Sequence, residues 1–510
     1  MRHCLTRELA AAELPGAADA LLTALGEQSS AHGRMQFAYA CHGARGDLEV
    51  RYVLSQGASQ PYALWRVKPQ GGALPSLAGK LPLLGWYERE INDLYGIRFD
   101  GHPESHPLVL HEGLAPAQPP LRHDFDRAAL PRSGEAMPPA VPKVIGPDIQ
   151  RLPFGPVRAD IVESAQFLFF YIGEGILHYH PRLFYKHRGM EARFEGVDLR
   201  AGSVLAERVS GIDSVAHALA YAQAVEAALG WRAPPRARYL RVILAELERL
   251  YNHLHYLGHL SKTTTLKVGE AQGLWLEEQL KQVNARLTGS RLLRGLIVPG
   301  GLRRDLDIGQ LDAWLDSWLD AFDHDIEVYL RRLETTRSHL DRLMTTGLLP
   351  RQVAFDQGAT GPIERASNLD RDLRRDHPYA NYGKVRFSVP VEAAGDAHAR
   401  SRVRMEEIRE SLAIVRQTLG RIKPGPVLRR DVLEDVDTAG EGLGWAEGVR
   451  GGLLYAVHLE GSRERLLRVK IKDPSFSNWR VFPFTVQDSN MMDYAINEAS
   501  FGLSVAGADR

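Results

Sequence analysis

The sequence predicts an α+β protein, in which a small α+β domain precedes a mainly helical bundle with small sheets at its edges. Strand-like hairpins fill much of residues 1–125, proline and small residues dominate 126–150, and a 3.6-residue apolar period recurs through 151–510. A chain of 510 residues is longer than one hydrophobic core usually grows. The three segments are therefore the expected first domain, linker and second domain.

The first domain is expected to begin with an amphipathic helix. Residues 1–26 place acidic side chains inside an apolar pattern and lack the continuous apolar run of a signal peptide. Residues 35–43 and 48–55 flank the turn-like sequence ARGD and predict a strand hairpin, and residues 61–67 predict a third strand. Apolar side chains at helical spacing then predict a short helix over 85–97.

The linker composition of residues 126–150 favours an extended, semi-rigid chain. The second domain opens with strand-like residues 155–185, and residues 452–460 and 465–473 predict another hairpin. Between them lie the predicted helices, at 210–230, 236–260, 268–288, 308–345 and 398–421. Helices of this length and number are expected to pack as a bundle.

Composition excludes several classes of protein. Lys plus Arg and Asp plus Glu both number 63, so the formal net charge is zero and no nucleic-acid partner is expected. The two cysteines, Cys4 and Cys41, cannot form a disulfide framework or supply four thiolates to a metal centre. No apolar segment is long enough to span a bilayer, so we expect contact with a membrane through partner subunits.

Several motifs carry a resemblance to known families. The stretch LGWYEREINDLYGIRFDGHPESHPLVL with the later PLRHDF resembles the small hydrophilic subunit of respiratory complex I. From Gly155 onward, HRGMEARFEG, AHALAYAQAVEAALG, RARYLRVILAELERLYNHLHYLG, RASNLDRDLRRDHPYANY and IKDPSFSN resemble the complex I subunit related to nickel–iron hydrogenase large subunits. The fused pair looks most like the large subunits of energy-converting hydrogenases of the formate hydrogenlyase and hydrogenase-4 kind. The resemblance implies a nickel–iron-hydrogenase-large-subunit-like helical bundle.

The same resemblance implies that the nickel ligands have been lost. The family places its metal-binding cysteines in two pairs, and the corresponding positions here are Ser210, Asp213, Ser504 and Gly507, with His217 retained. Soft thiolates hold such a centre, and neither a hydroxyl nor a glycine replaces them. We therefore expect no hydrogenase activity and no metal in this chain.

The quinone ligands of complex I are also missing. The resemblance places the family's tyrosine at Gly211 and its histidine at Arg158. A quinone or another small acceptor would need a non-standard pocket. The candidate pocket residues are Arg158, Asp160, Ser210, Asp213, His217, Ser504, Asp509 and Arg510.

The stretch ERVSGIDSVAHALAY, residues 207–221, allows three interpretations. Ser210 and Asp213 match a capping box at the start of a helix, and Asp213 is spaced to pair with His217. The second interpretation is a remodelled polar pocket that handles protons or a small ligand. The third interpretation is a different metal bound by Asp213 and His217.

A second candidate site lies in YKHRGMEARFEG. The resemblance places His187, Arg188 and Glu191 near a partner subunit that holds an iron–sulfur cluster, where a cation raises the reduction potential and a carboxylate passes protons. An ordinary exposed helix start is the alternative interpretation.

These observations predict a peripheral-arm subunit of a complex-I-like, hydrogenase-related membrane complex that couples electron transfer to ion translocation without a nickel–iron site of its own. The expected partners are an iron–sulfur small subunit and antiporter-like membrane-arm subunits, on the cytoplasmic side of the inner membrane. No cofactor is expected on this chain alone, although quinone is a possible ligand. The alternatives are a small-acceptor reductase with a non-standard pocket and a scaffold without a redox role.

Overall fold

The computed structural model describes residues 4–27, 33–43, 46–104, 106–111, 118–126, 141–157, 163–306, 312–429, 440–461 and 465–510. Arg158 and Asp160 lie outside the described residues, as does most of the predicted linker. The α+β class is confirmed, because small sheets accompany a large helical bundle.

A four-stranded sheet forms the centre of the first domain, in the order β1-β4-β3-β2, with β1 and β4 parallel. The first domain contains β1 (Cys4–Leu9), α1 (Leu14–Glu27), β2 (Arg34–His42), β3 (Leu48–Ser55), β4 (Tyr62–Val67), β5 (Ala73–Pro75), α2 (Gly85–Tyr95) and β6 (Arg98–Asp100). The predicted strands and the second helix are confirmed. The prediction of a single N-terminal helix is wrong for Cys4–Leu9, because this segment pairs with Tyr62–Val67 and forms an edge strand.

The second domain combines three small sheets with the helices. Its strands are β7 (Gln150–Phe154), β8 (Gln166–Ile172), β9 (Gly175–Arg182), β10 (Ile297–Val298), β11 (Gly301–Leu302), β12 (Glu441–Gly448), β13 (Gly451–Glu460) and β14 (Arg465–Lys472). Its helices are α3 (Met190–Arg193), α4 (Leu199–Ala206), α5 (Ser214–Leu229), α6 (Pro235–Thr263), α7 (Lys267–Thr288), α8 (Asp312–Thr335), α9 (Arg337–Leu343), α10 (Arg351–Asp356), α11 (Pro362–Ala366), α12 (Leu373–Asp376), α13 (Ala397–Leu419), α14 (Pro474–Val481), α15 (Pro483–Val486), α16 (Tyr494–Phe501) and α17 (Val505–Asp509). No described helix has the length and apolar character needed to cross a membrane.

The five predicted long helices are present, with one difference. The segment predicted as a helix over 308–345 is divided between α8 and α9 near Thr336, which adopts an extended conformation. The hairpin of β13 and β14 is confirmed, and β12 extends it to three antiparallel strands. The sequence of β12, EGLGWAEG, is too rich in glycine to be recognised as a strand from β propensity.

Glycines in β12 let α5 lie directly on the sheet. Ala216, Ala220, Ala224 and Ala228 recur every four residues and therefore share one face of α5. This face packs against three glycines of β12, Gly442, Gly444 and Gly448, and against Gly440, which directly precedes the strand. A β-carbon at Gly442 or Gly444 would overlap the backbone of α5. This glycine–alanine seam fixes the position of the helix that carries His217.

The hydrophobic core of the first domain continues into the second. The Tyr87 ring lies 4.9 Å from the Phe476 ring, between ring centroids, and both belong to one cluster of buried side chains. Buried ion pairs reinforce the contact, with Lys470 Nζ 2.7 Å from Glu90 Oε2 and Arg34 Nη1 3.6 Å from Glu364 Oε1. The two segments of sequence therefore form one packed unit.

Candidate functional site

The start of α5 is capped from a neighbouring helix. Glu248 of α6 accepts hydrogen bonds from the amides of Val215 and Ala216, at 2.7 and 2.9 Å. Asp213 occupies the N-cap position but its side chain does not cap the helix, and the buried Ser210 hydroxyl has no partner among the described residues. The predicted capping box is therefore wrong, because a carboxylate 33 residues away in sequence takes its place.

Asp213 forms a buried ion pair with Arg450, which lies in the turn between β12 and β13. The Asp213 side chain is 0% exposed and that of Arg450 1%. Arg450 Nε also donates to the carbonyl of Gly502 at 2.7 Å, and its guanidinium lies 5.5 Å from the centre of the Tyr256 ring. The predicted pairing of Asp213 with His217 is wrong, because Arg450 supplies a full positive charge.

His217 is held between a tyrosine and a second carboxylate. Its Nδ1 lies 2.8 Å from the Tyr455 hydroxyl, and its Nε2 lies 3.2 Å from Asp473 Oδ2. Because an ionised carboxylate only accepts hydrogen bonds, Nε2 carries the proton and Nδ1 pairs with the hydroxyl. All three side chains are completely buried. We call Asp213, His217, Arg450, Tyr455 and Asp473 the polar cluster.

Asp473 fills space beside the C-terminal helix α17. Its Oδ1 caps α14 by accepting from the amide of Ser475 at 2.6 Å. A β-carbon at Gly507, where the resemblance places a cysteine, would lie 2.6 Å from Asp473 Oδ2. Next to the positions where the resemblance places the nickel ligands, the carboxylates of Asp213 and Asp473 are therefore already paired with protein groups. These residues do not fit a nickel–iron centre.

The surroundings displace the pKa values of two buried acids, Asp473 and Glu248, in opposite directions. Burial acts to raise the pKa of Asp473, but the hydrogen bond and charge of His217 and the charge of Arg450 outweigh it and lower that pKa below its usual range. Burial and the neighbouring Asp213 raise the pKa of Glu248 well above its usual range, against the hydrogen bonds from two amides. The pKa values of these two buried acids are therefore displaced in opposite directions, downward for Asp473 in the polar cluster and upward for Glu248 beside it.

The metal interpretation of Asp213 and His217 is not supported. Each side chain binds a different protein partner, Arg450 for the first and Asp473 with Tyr455 for the second. In the part of the chain that the structure describes, no group of three or more His, Cys, Asp or Glu side chains could hold a metal ion.

The other C-terminal candidates anchor α17 rather than line an open pocket. Ser504 caps the helix by accepting from the amide of Gly507 at 3.0 Å. Asp509 accepts from the amides of Phe184 and Lys186, both at 2.9 Å. Arg510 Nη2 lies 2.6 Å from Glu90 Oε1, so this helix contacts the first domain as well.

The HRGMEARFEG segment is divided between surface and interior. His187 is exposed and Arg188 is half-buried, whereas Glu191 is buried and pairs with Lys470 at 3.0 Å and Arg510 at 3.2 Å. Arg188 donates to the carbonyls of Arg208, Val209 and Ala506 at 2.8, 2.6 and 3.0 Å. Arg188 therefore ties the loop before α5 to α17, next to the polar cluster.

Asp509→Asn should change how folding stability depends on pH. Burial, with a smaller contribution from Glu163, raises the pKa of Asp509 to about 7. A raised carboxyl pKa stabilises the folded state below the unfolded pKa of about 4, and this contribution is lost as pH rises towards 7. We expect the stability of the wild type relative to the variant to fall across that interval, with a slope of about one proton. Urea unfolding at several pH values measures it, and parallel curves would contradict the assignment.

Four members of the site were not predicted from the sequence, namely Glu248, Arg450, Tyr455 and Asp473. Asp473 had a local signal, because Asp followed by proline is typical of a helix N-cap. The other three contact residues more than 30 positions away in sequence, and no rule based on local spacing predicts such contacts.

Three protein-family models match successive segments of the chain. The model of the respiratory-chain NADH dehydrogenase 30 Kd subunit matches residues 15–130, and that of the 49 Kd subunit matches 274–439 and 434–510. The model of nickel-dependent hydrogenase matches residues 188–272. The membrane-bound sulfane sulfur reductase complex, an archaeal respiratory membrane complex, contains a chain of similar fold, with a TM-score of 0.67 and 24% identity over 72% of this chain and 100% of that one.

Individual relatives match over most of their length. Hydrogenase-4 component G of Escherichia coli is 31% identical, covering 91% of this chain and 81% of the relative. Formate hydrogenlyase subunit 5 of the same organism is 30% identical, covering 91% and 82%. The NADH-quinone oxidoreductase C/D protein of Cereibacter sphaeroides is 30% identical, covering 86% and 82%. The chain therefore belongs to the family of fused 30 Kd and 49 Kd complex I subunits that includes these hydrogenase-related proteins.

Proposed function

We propose that this chain is the peripheral-arm subunit through which a membrane-bound oxidoreductase complex couples electron transfer in an iron–sulfur partner to ion translocation, without nickel–iron chemistry of its own. The observation that carries the proposal is that Ser210, Asp213, Ser504 and Gly507 stand where the resemblance places the four thiolates, with Asp213 already paired to Arg450. Membership of the family supports a hetero-oligomer with membrane subunits.

The polar cluster is suited to respond to a change of charge nearby. Charges in a medium of low dielectric interact more strongly than exposed ones and are less screened by salt. Arg188 connects the partly exposed loop before α5 to α17 through three carbonyls. An electron that arrives on a cluster outside this loop would shift the balance between the ion pair at Asp213 and the hydrogen bond at Asp473.

The finer assignments belong to the same proposal. The partner at the surface near His187 and Arg188 is a small subunit with an iron–sulfur cluster, and the membrane arm contains antiporter-like subunits on the cytoplasmic side of the inner membrane. Quinone reduction at the polar cluster is the less favoured alternative, because the side chains of the cluster are enclosed and already paired with one another.

Gentle affinity purification of the chain from native membranes tests the assembly. We expect mass spectrometry to identify a small subunit with cluster-binding cysteines and several membrane proteins, and electron paramagnetic resonance to detect the reduced cluster. Recovery of the chain alone would overturn the proposal.

The purified complex should contain no stoichiometric nickel and should neither consume nor evolve hydrogen. The reason is that Asp473 fills the space beside Gly507 and Arg450 neutralises Asp213, so no thiolate site remains. Elemental analysis by mass spectrometry and a hydrogen electrode measure the two quantities. One nickel per chain, or hydrogen turnover, would contradict the interpretation.

Asp473→Asn tests the coupling role, because it keeps the size of the side chain and removes its charge. In membrane vesicles with a reduced viologen dye as donor, we expect fewer ions translocated per electron while the complex remains assembled. Asp493→Asn, at a partly exposed carboxylate paired with Arg342, is the matched control. An unchanged ratio in Asp473→Asn would exclude the polar cluster from coupling.

A further inference from the structure

A cavity of about 310 Å³ lies between α4 and the hairpin of β10 and β11, and it shares no lining residue with the polar cluster. Ala201, Val204, Ile297, Val298 and Leu428 give it an almost wholly apolar lining. The volume is within the range of small-molecule sites in proteins. The feature is therefore large enough to hold an organic ligand.

Two exposed arginines line this cavity. Arg200 and Arg303 both line it and are exposed, and neither guanidinium has a carboxylate partner among the residues described. The Arg303 guanidinium lies over Gly295, with Nη2 3.3 Å from the position that a β-carbon would take. Two guanidinium groups of this kind beside an apolar surface favour a ligand with an anionic head.

The carboxylate of Glu207, which also lines the cavity, does not neutralise these arginines. It accepts from the amide of Gly295 at 2.6 Å and pairs with Arg208 at 3.3 Å. Ser203 lines the wall as well, and its enclosed hydroxyl has no hydrogen-bond partner in the described part of the chain. A buried hydroxyl without a partner is costly, and a polar group on a ligand would relieve that cost.

We infer that this cavity binds an amphiphile with one alkyl chain against Val204 and Ile297 and an anionic head between Arg200 and Arg303. The shared chemistry is an alkyl chain with a carboxylate or phosphate, supplied by a free fatty acid or by an anionic phospholipid. The two guanidinium groups would select the negative charge of the ligand's head, and the apolar lining would select its alkyl chain.

Isothermal titration calorimetry of the full-length chain with decanoate tests the inference. We expect saturable binding, and at least about tenfold weaker binding in Val204→Glu, which adds an anion to the lining, and in Arg303→Ala, which removes a cation. Val268→Glu is the matched control, because Val268 is another exposed valine but lies on α7. Decanol, which lacks the charge, should bind more weakly than decanoate and should not respond to Arg303→Ala.

Flotation with phosphatidylcholine vesicles, with and without phosphatidylglycerol, separates the two sources. Binding only to vesicles with phosphatidylglycerol, lost in Val204→Glu, assigns the site to membrane lipid, whereas decanoate binding without flotation assigns it to a free acid. Circular dichroism melting curves establish whether each variant is folded. If Val204→Glu does not fold, Arg303→Ala, which changes an exposed side chain, still tests the inference. Absence of both kinds of binding, or equal binding in the wild type and Arg303→Ala, overturns the inference.

Discussion

Arg450→Met should reduce the free energy of unfolding by about 3–5 kcal/mol, the typical cost of removing one partner of a buried ion pair. Asp213 would be left buried without its basic partner, and its second oxygen already lacks a partner among the described residues. The carbonyl of Gly502 would also lose its donor. Urea unfolding followed by circular dichroism measures the change.

Two further variants make this prediction specific. Arg342→Met removes the basic partner of a partly exposed ion pair, in which Arg342 lies 3.1 Å from Asp493 and is 40% exposed. It should cost less than about 1 kcal/mol. The double variant Asp213→Asn with Arg450→Met should recover most of the lost stability, because no unpaired charge remains. Equal losses of unfolding free energy in Arg450→Met and Arg342→Met would show that the buried ion pair contributes no more to stability than the partly exposed one.

Gly444→Ala should destabilise the protein by at least about 3 kcal/mol, at the upper end of what overpacking a core costs. The added β-carbon would overlap the carbonyl of Ala220 and the amide of Ala224, which are backbone atoms of α5 and cannot rotate away. The helix would have to lift off β12, and His217 would move with it. Thermal and urea unfolding both measure the loss.

Gly448→Ala is the matched control for this prediction. It lies on the same strand, opposite the same helix, but its β-carbon would be 3.5 Å from the nearest atoms, which is ordinary contact. We expect a change of less than about 1 kcal/mol. Similar losses in the two variants would mean that the general loss of glycine, rather than close approach to the helix, sets the cost.

The sequence was sufficient to predict the elements whose signal is local. The apolar period located α6, α7 and α13 to within a few residues, and alternating apolar residues located β3 and β4. It failed for β1 and β12, because one is an edge strand formed by pairing and the other is a strand whose glycines accommodate a helix. Local periodicity carries no information about either tertiary contact.

The candidate site was predictable only in part, for a related reason. Resemblance identified Asp213 and His217 as positions of interest, and both belong to the polar cluster. Their partners lie 237 and 256 residues away in sequence, so the choice between a cap, a local pair and a remote ion pair depended on the fold. The four-residue spacing favoured a local pair between Asp213 and His217. In the fold, each side chain is instead buried against a remote partner, Arg450 or Asp473.

The shared core of the two domains has a consequence for how they come together. On two separate polypeptides, the contacts of Tyr87 with Phe476 and of Glu90 with Lys470 would form only through an encounter that depends on concentration. Fusion makes that encounter intramolecular, with an effective concentration in the millimolar range. It also guarantees one copy of each domain, so dilution of the fused protein does not separate them.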